Sequence, residues 1–204
     1  MGTIAALLGC QNTTNQEQLF GQVVDGEMVL NEYGEIVQGE WFRSTKIRNE
    51  IELFLDEFIV MPNHMHGIVW IVETDDWAGR DGSVRKMVGA HGRAPLHRPP
   101  RSLGSFIAGF KSAVTRHINE MRSTPGARVW QRNYYEHIIR NEKALNLIRQ
   151  YIVQNPFRWL LDRYNPEQEG IDPIAQEIRR VIHRPAENIN LGVLGKRKER
   201  GVFL

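Results

Sequence analysis

The run MPNHMHGIV, residues 61–69, carries His64 and His66 two positions apart among apolar side chains. Side chains at i and i+2 of a strand share a face, so both imidazoles can converge on one cation without any change of backbone. Burying either one without a hydrogen bond or a ligand costs free energy. The pair alone is also compatible with one histidine packing and the other meeting solvent. Two imidazoles leave a divalent ion under-ligated, so a third protein group must come from elsewhere, with positions left open for substrate. Tyr151 and Asn155 form a second pair, four residues apart. On a helix they lie one above the other, a phenol beside an amide oxygen able to bind a hard cation. Read singly, Tyr151 is equally a core aromatic and Asn155 a helix-ending residue before Pro156.

The elements that must position these groups can be read from pattern. GQVVDGEMVL (21–30) is two β-rich runs around Asp25-Gly26, a strong hairpin signal because both central residues tolerate positive φ. Asn31 can cap a first helix reaching Asn49. IELFLDEFIVMP and HMHGIVWIVE then predict an antiparallel strand pair turning at Pro62-Asn63, with the histidines opening the second strand. Residues 102–121 start with a Ser cap and place Leu103, Phe106, Ile107, Phe110, Val114 and Ile118 on one helical face. VWQRNYYEHIIR (129–140) predicts a strand, and NEKALNLIRQYIVQN (141–155) a capped helix stopped by Pro156. The first ten residues read as a first strand, lacking the basic start of a secretory signal although LLGC has a lipobox-like look. This order predicts an α+β fold: a ferredoxin-like antiparallel sheet with helices packed on one face, plus a C-terminal helix carrying the tyrosine. FRWLLDRY and IAQEIRRVIH add helical stretches ahead of a polar tail.

The 204 residues, 41% hydrophobic and 25% charged, suit a globular chain rather than a disordered one. A formal net charge of +2 announces no global basic field, so any basic surface must be local. It is local in the stretch 75–101, rich in Gly, Pro and Arg. Within it, from Gly79 to Arg101, the basics Arg80, Arg85, Lys86, Arg93, Arg98 and Arg101 stand against one acid, Asp81. The single cysteine, Cys10, rules out an internal disulfide and suits a cytoplasmic location.

VMPNHMHGIVWI, followed by WQRNYYEHIIRNE and IRQYIVQNPFRW, strongly resembles the single-tyrosine HUH transposases of the smallest insertion sequences. The likeness is greatest to the REP-associated tyrosine transposases and runs from about Leu19 to about Asn165. The resemblance implies a transposase domain over 1–165 and a C-terminal extension over 166–204. It implies that His64 and His66 hold Mg²⁺ or Mn²⁺, that Tyr151 is the nucleophile, and that Asn155 supplies a third ligand. The partner it implies is single-stranded DNA with hairpin structure, bound by a monomer or by a homodimer that exchanges tyrosine helices, with no membrane role. Residue types agree: a phenolate attacking a phosphodiester can store the bond as a 5′-phosphotyrosine and release a 3′-hydroxyl. A metal-bound water or His137 could take the phenol proton, and Tyr134 and Tyr135 are rival nucleophiles lacking an amide partner at helical spacing.

The six cations of the 75–101 loop, with Lys111 and Arg116 on the second helix, are the groups expected to neutralise DNA phosphates, and Trp130, Tyr134 and Trp159 the rings expected to stack on bases. Two other readings keep the same residues: a domesticated, inactive transposase that binds structured DNA, and a metal hydrolase with no covalent step. The N-terminal strand looks shorter than the family usually carries.

Overall fold

A computed structural model of the chain describes residues 3–9, of which the backbone alone, together with 12–72, 102–132 and 135–183. Cys10, the loop cations from Arg80 to Arg101, Tyr134 and residues 184–204 lie outside the described residues. The fold is mixed α+β with antiparallel sheets. Strand β1 (Thr3–Gly9) is followed by a two-stranded hairpin, β2 (Gly21–Val24) and β3 (Glu27–Leu30), and by helix α1 (Glu32–Ile47). Strands β4 (Ile51–Glu52), β5 (Phe58–Val60) and β6 (Met65–Val72) precede α2 (Leu103–Met121), β7 (Tyr135–Ile139), α3 (Glu142–Gln154) and α4 (Pro173–His183).

The main sheet runs β4-β6-β1-β7, with β5 also paired to β6. Thr3 faces Val72 and Leu8 faces Gly67, while Ala5 faces Ile139 on the other side, so β1 is interior to the sheet. The first strand expected from the sequence is therefore formed and central. The expected strand over 51–62 is broken: a 3-10 turn at Leu55–Glu57 separates β4 from β5. Within the strand expected over 129–140, β7 spans Tyr135–Ile139 and Trp130 makes an isolated bridge to Thr13.

Strand alternation on β6 divides the core. Met65 and Val69 join Val37 and Trp41 of α1 and Phe106, Phe110 and Val114 of α2 in one buried cluster. Ile68 and Trp70 join Ile139, Leu145, Ile148 and Ile152, with Ile178 of α4 behind them, in the other. Thus α1 and α2 cover one face and α3, backed by α4, the other. Trp41 lies stacked on Phe58 at 4.6 Å and edge-on to Phe106 and Phe110 at 5.4 Å. It reaches the sheet because residue 67 is glycine: a Cβ there would stand 2.6 Å from the Trp41 ring.

Local chemistry sets the boundaries. Asn31 accepts from the amides of Tyr33 and Gly34, Ser102 and Ser105 form a reciprocal capping box, and Asn141 accepts from Ala144. The turn between β2 and β3 has φ of 51° at Asp25 and 79° at Gly26, the double positive φ its sequence anticipates. Helix α3 ends ahead of Pro156, and a kinked 3-10 segment, Pro156–Leu161, turns the chain back beneath it. Helix α3 is also held from its side. Glu57, fully buried, accepts from Trp70 Nε1 at 2.5 Å and from Arg149 Nε and Nη2 at 2.8 and 2.6 Å. Among the described residues no helix is long and apolar enough to cross a membrane.

Candidate metal and tyrosine site

His66 has the same parity on β6 as Ile68 and Trp70, so it faces α3, while His64 sits in the turn just before the strand. Both are buried, and their Nε2 atoms lie 3.0 Å apart. The chain reversal after Pro156 brings in Asp162, also buried. Its Oδ2 stands 3.6 Å from His64 Nε2, and the three residues offer ligand atoms within 4.8 Å of one another. Tyr151 projects from α3 toward this group. Its hydroxyl donates to Asp162 Oδ2 at 3.3 Å and lies 3.4 Å from His66 Nε2.

Supporting contacts fix the donors. Asn63, fully buried, accepts from His64 Nδ1 at 2.8 Å and gives its amide hydrogens to the carbonyls of Gln16 (3.1 Å) and Tyr164 (2.7 Å). Since Asn63 Oδ1 can only accept, His64 carries its proton on Nδ1 and turns a bare Nε2 to the site. Asp162 Oδ1 is engaged by the Tyr164 amide at 2.8 Å, which leaves Oδ2 facing the histidines.

Burial holds both imidazoles neutral. The pKa of His64 is lowered to about 3, first by burial and then by the charge of Arg163. That of His66 is also lowered to about 3, by burial, by His64 and by Arg163, against an opposing pull from Asp162. Neutral imidazole is the metal-ligating form, so the pair needs no proton removed before it binds a cation.

Asn155 lies beside this cluster. Its Nδ2 donates to Asp162 Oδ2 at 3.4 Å, whereas its buried Oδ1 has no hydrogen-bond partner among the described residues. A buried acceptor left so is costly unless a donor or a cation meets it. Two imidazole nitrogens, a carboxylate oxygen and an amide oxygen make a mixed set that fits a divalent cation tolerant of both donor types.

The structure thus brings together His64, His66, Tyr151 and Asn155 from distant parts of the chain and adds Asp162. Sequence reading passed over Asp162, although it is the only acid in PFRWLLDRYN (156–165) and follows the proline-stopped tyrosine helix. Other expected residues lie elsewhere. His137 shares a face of β7 with Tyr135 and Ile139 but does not line the cavity beside Tyr151. Lys111 donates to the Gln131 carbonyl at 2.7 Å, and Arg116 stands 3.8 Å from Glu120. Trp130, 7% exposed, packs with Phe20 and Phe110 and so is a core ring, not a free stacking surface. Trp159 is half-buried, its ring 6.0 Å from that of His64.

No family model matches the chain. An uncharacterized protein of Haemophilus influenzae (strain ATCC 51907 / DSM 11121 / KW20 / Rd) is 35% identical over 149 residues, spanning 73% of this chain and 78% of that protein. Among solved structures, a REP-associated tyrosine transposase bound to a REP hairpin aligns at a TM-score of 0.47 and 17% identity, over 97% of this chain and 92% of that one. A likeness of that degree carries no weight for the activity of this chain.

Proposed function

Because the chain belongs to the same family as the uncharacterized Haemophilus influenzae protein, its activity has to be read from its own site. We propose that it is a metal-dependent DNA transposase and endonuclease that cleaves and rejoins hairpin-containing single-stranded DNA through Tyr151. One observation carries this reading. The Tyr151 hydroxyl lies 3.3 Å from Asp162 and 3.4 Å from His66, against a buried His-His-Asp cluster. A phenol there can serve as the nucleophile of a covalent step, a step that a water-activating hydrolase does not take. The ordered motifs around His64, His66 and Tyr151 support the same family reading. So does the strand order β4-β6-β1-β7 with α1 and α2 on one face, which fits a ferredoxin-like β-α-β-β-α-β path.

In this mechanism His64 and His66 would hold Mg²⁺ or Mn²⁺, with Asp162 as the carboxylate donor and Asn155 Oδ1 as a further oxygen. The bound cation would polarise the scissile phosphate and stabilise the departing oxygen. Tyr151 supplies the nucleophile. Its oxygen bonds to phosphorus as the bond from phosphorus to O3′ breaks, giving a 5′-phosphotyrosine and a free 3′-hydroxyl. Asp162 Oδ2 already accepts from the phenol and so orients its oxygen toward the cluster. Attack by a second strand's 3′-hydroxyl then reverses the step and frees Tyr151, so joining needs no outside energy source.

The test is a cleavage assay on hairpin DNA from the repeats flanking the gene, with Mg²⁺ or Mn²⁺, comparing wild type with Tyr151→Phe on a denaturing gel. A metal-dependent protein–DNA adduct that vanishes in Tyr151→Phe is expected. Binding without any adduct would replace this reading by that of an inactive DNA-binding relative, and cleavage surviving in Tyr151→Phe by that of a hydrolase.

A further inference from the structure

A cavity of about 250 Å³ opens directly beside the Tyr151 hydroxyl, with His66 and Asp162 at the same end. Its far wall is α4, a helix that the chemistry above does not use. Ile171, Ala175, Ile178, Arg179 and Ile182 line it, and from Ala175 onward their spacing is one face of that helix. The wall is fixed. Ile178 is buried among the α3 residues, Asp172 caps α4 by accepting from the Ile174 amide at 2.8 Å, and Arg158 forms an ion pair with Asp172.

The lining has two chemistries. Isoleucines of α3 and α4 make an apolar floor, whereas Arg163 and Arg179 bring cationic heads and Gln168 and Gln176 bring amides. Arg163 lies over the Tyr164 ring at 4.4 Å and donates to its hydroxyl. Its charge is felt at both histidines. Arg179 is exposed and, among the described residues, has no ion-pair partner. Of the two lining acids, Asp172 is neutralised by Arg158, and Asp162 belongs to the metal cluster. Arg179 thus brings an exposed guanidinium to the cavity that Tyr151 also lines.

Resting on the proposed function, we propose that this cavity seats the nucleotide adjoining the phosphate that Tyr151 attacks, base on the isoleucine floor and phosphate between Arg163 and Arg179. A guanidinium pair flanking an apolar slot suits an aromatic base joined to an anion better than either one alone. A base stacked and paired in a duplex cannot enter a slot closed by α4, so the cavity demands an unpaired nucleotide at the cleavage point. Helix α4 thereby becomes part of the substrate site.

The experiment is fluorescence anisotropy with a labelled single-stranded hexanucleotide of mixed sequence and with its duplex, using the full chain carrying Tyr151→Phe so that nothing is cleaved. Adding Ala175→Phe to fill the slot, or Arg179→Gln to remove one cation, is expected to weaken single-strand binding about tenfold with the melting temperature unchanged. Duplex binding should be weak and indifferent to both changes. Should Ala175→Phe fail to fold, Arg179→Gln decides alone. Single-strand affinity within about twofold of the parent in the folded variants overturns the cavity. An equal loss for duplex overturns it too. Adduct formation in the Tyr151 chain separates the two readings. Unweakened variants beside a Tyr151-dependent adduct leave the enzyme and remove the cavity. Weakened variants in a chain that never forms an adduct keep the cavity and remove the transposase.

Discussion

Asn63 sets the tautomer of His64: its Oδ1 accepts the Nδ1 proton at 2.8 Å, which leaves Nε2 as the unprotonated nitrogen facing His66 and Asp162. The same amide donates to the Tyr164 carbonyl and so ties down the turn that carries Asp162. Loss of such an outer partner commonly lowers metal affinity 10- to 100-fold. Asn63→Ala is expected to weaken Mn²⁺ binding, measured by titration calorimetry, by about that factor. Asn63→Asp keeps the acceptor but loses the hydrogen bonds donated to the Gln16 and Tyr164 carbonyls, so it should recover only part of it. If Asp binds no better than Ala, Asn63 is merely holding loops together.

Asp162 and Asn155 can be told apart by thermal unfolding with and without Mn²⁺. A cation present at a hundred times its dissociation constant stabilises by about 2.7 kcal/mol. We expect Asp162→Ala to erase that shift and Asn155→Ala to reduce it. An unchanged shift in Asp162→Ala would remove the carboxylate from the donor set.

Both histidines have folded pKa values lowered to about 3 from 6.5, so below pH 6.5 the unfolded chain takes up protons that the folded chain refuses. Stability must therefore fall as pH drops from 6.5 toward 3, with a slope approaching 1.4 kcal/mol per pH unit for each histidine at most. Urea unfolding in EDTA at pH 7 and pH 5 should show this loss, and His64→Asn should lessen it. A flat profile across that range would contradict neutral, buried imidazoles.

Glu57 and Arg149 fasten the tyrosine helix to the sheet. With Glu57 fully buried, Arg149→Met leaves a charge without its partner, a change of roughly 3–5 kcal/mol. The double variant Glu57→Gln with Arg149→Met should recover much of the loss in urea unfolding. A loss under about 1 kcal/mol for the single variant would mean that water replaces the guanidinium without penalty.

Much of this was legible because local rules and tertiary structure agreed. Asn31, Ser102 and Asn141 start their helices where capping chemistry says, and Asp25-Gly26 turns where positive φ is cheap. His64 with His66, and Tyr151 with Asn155, were visible because each pair lies within one period of its element. Asp162 was not, since a single acid after a kinked 3-10 segment has no period and its place depends on where the chain folds back. The same holds for 51–62, where an unbroken β-rich pattern hid the turn that buries Glu57 against Trp70 and Arg149. The role of α4 as a wall of the cavity depends on packing against α3, which no local pattern encodes.

The interior position of β1 bears on how the chain folds. Its neighbours are residues 67–72 on one side and 135–139 on the other, so its pairing closes long loops, the slow class of folding event. During synthesis β1 leaves the ribosome before β6 and β7 and must wait for β7 before its second edge is covered. The β2–β3 hairpin and α1 can form meanwhile from neighbouring residues alone. Until β7 arrives, an unpaired strand edge stands open to other chains, the period in which this protein is most exposed to aggregation.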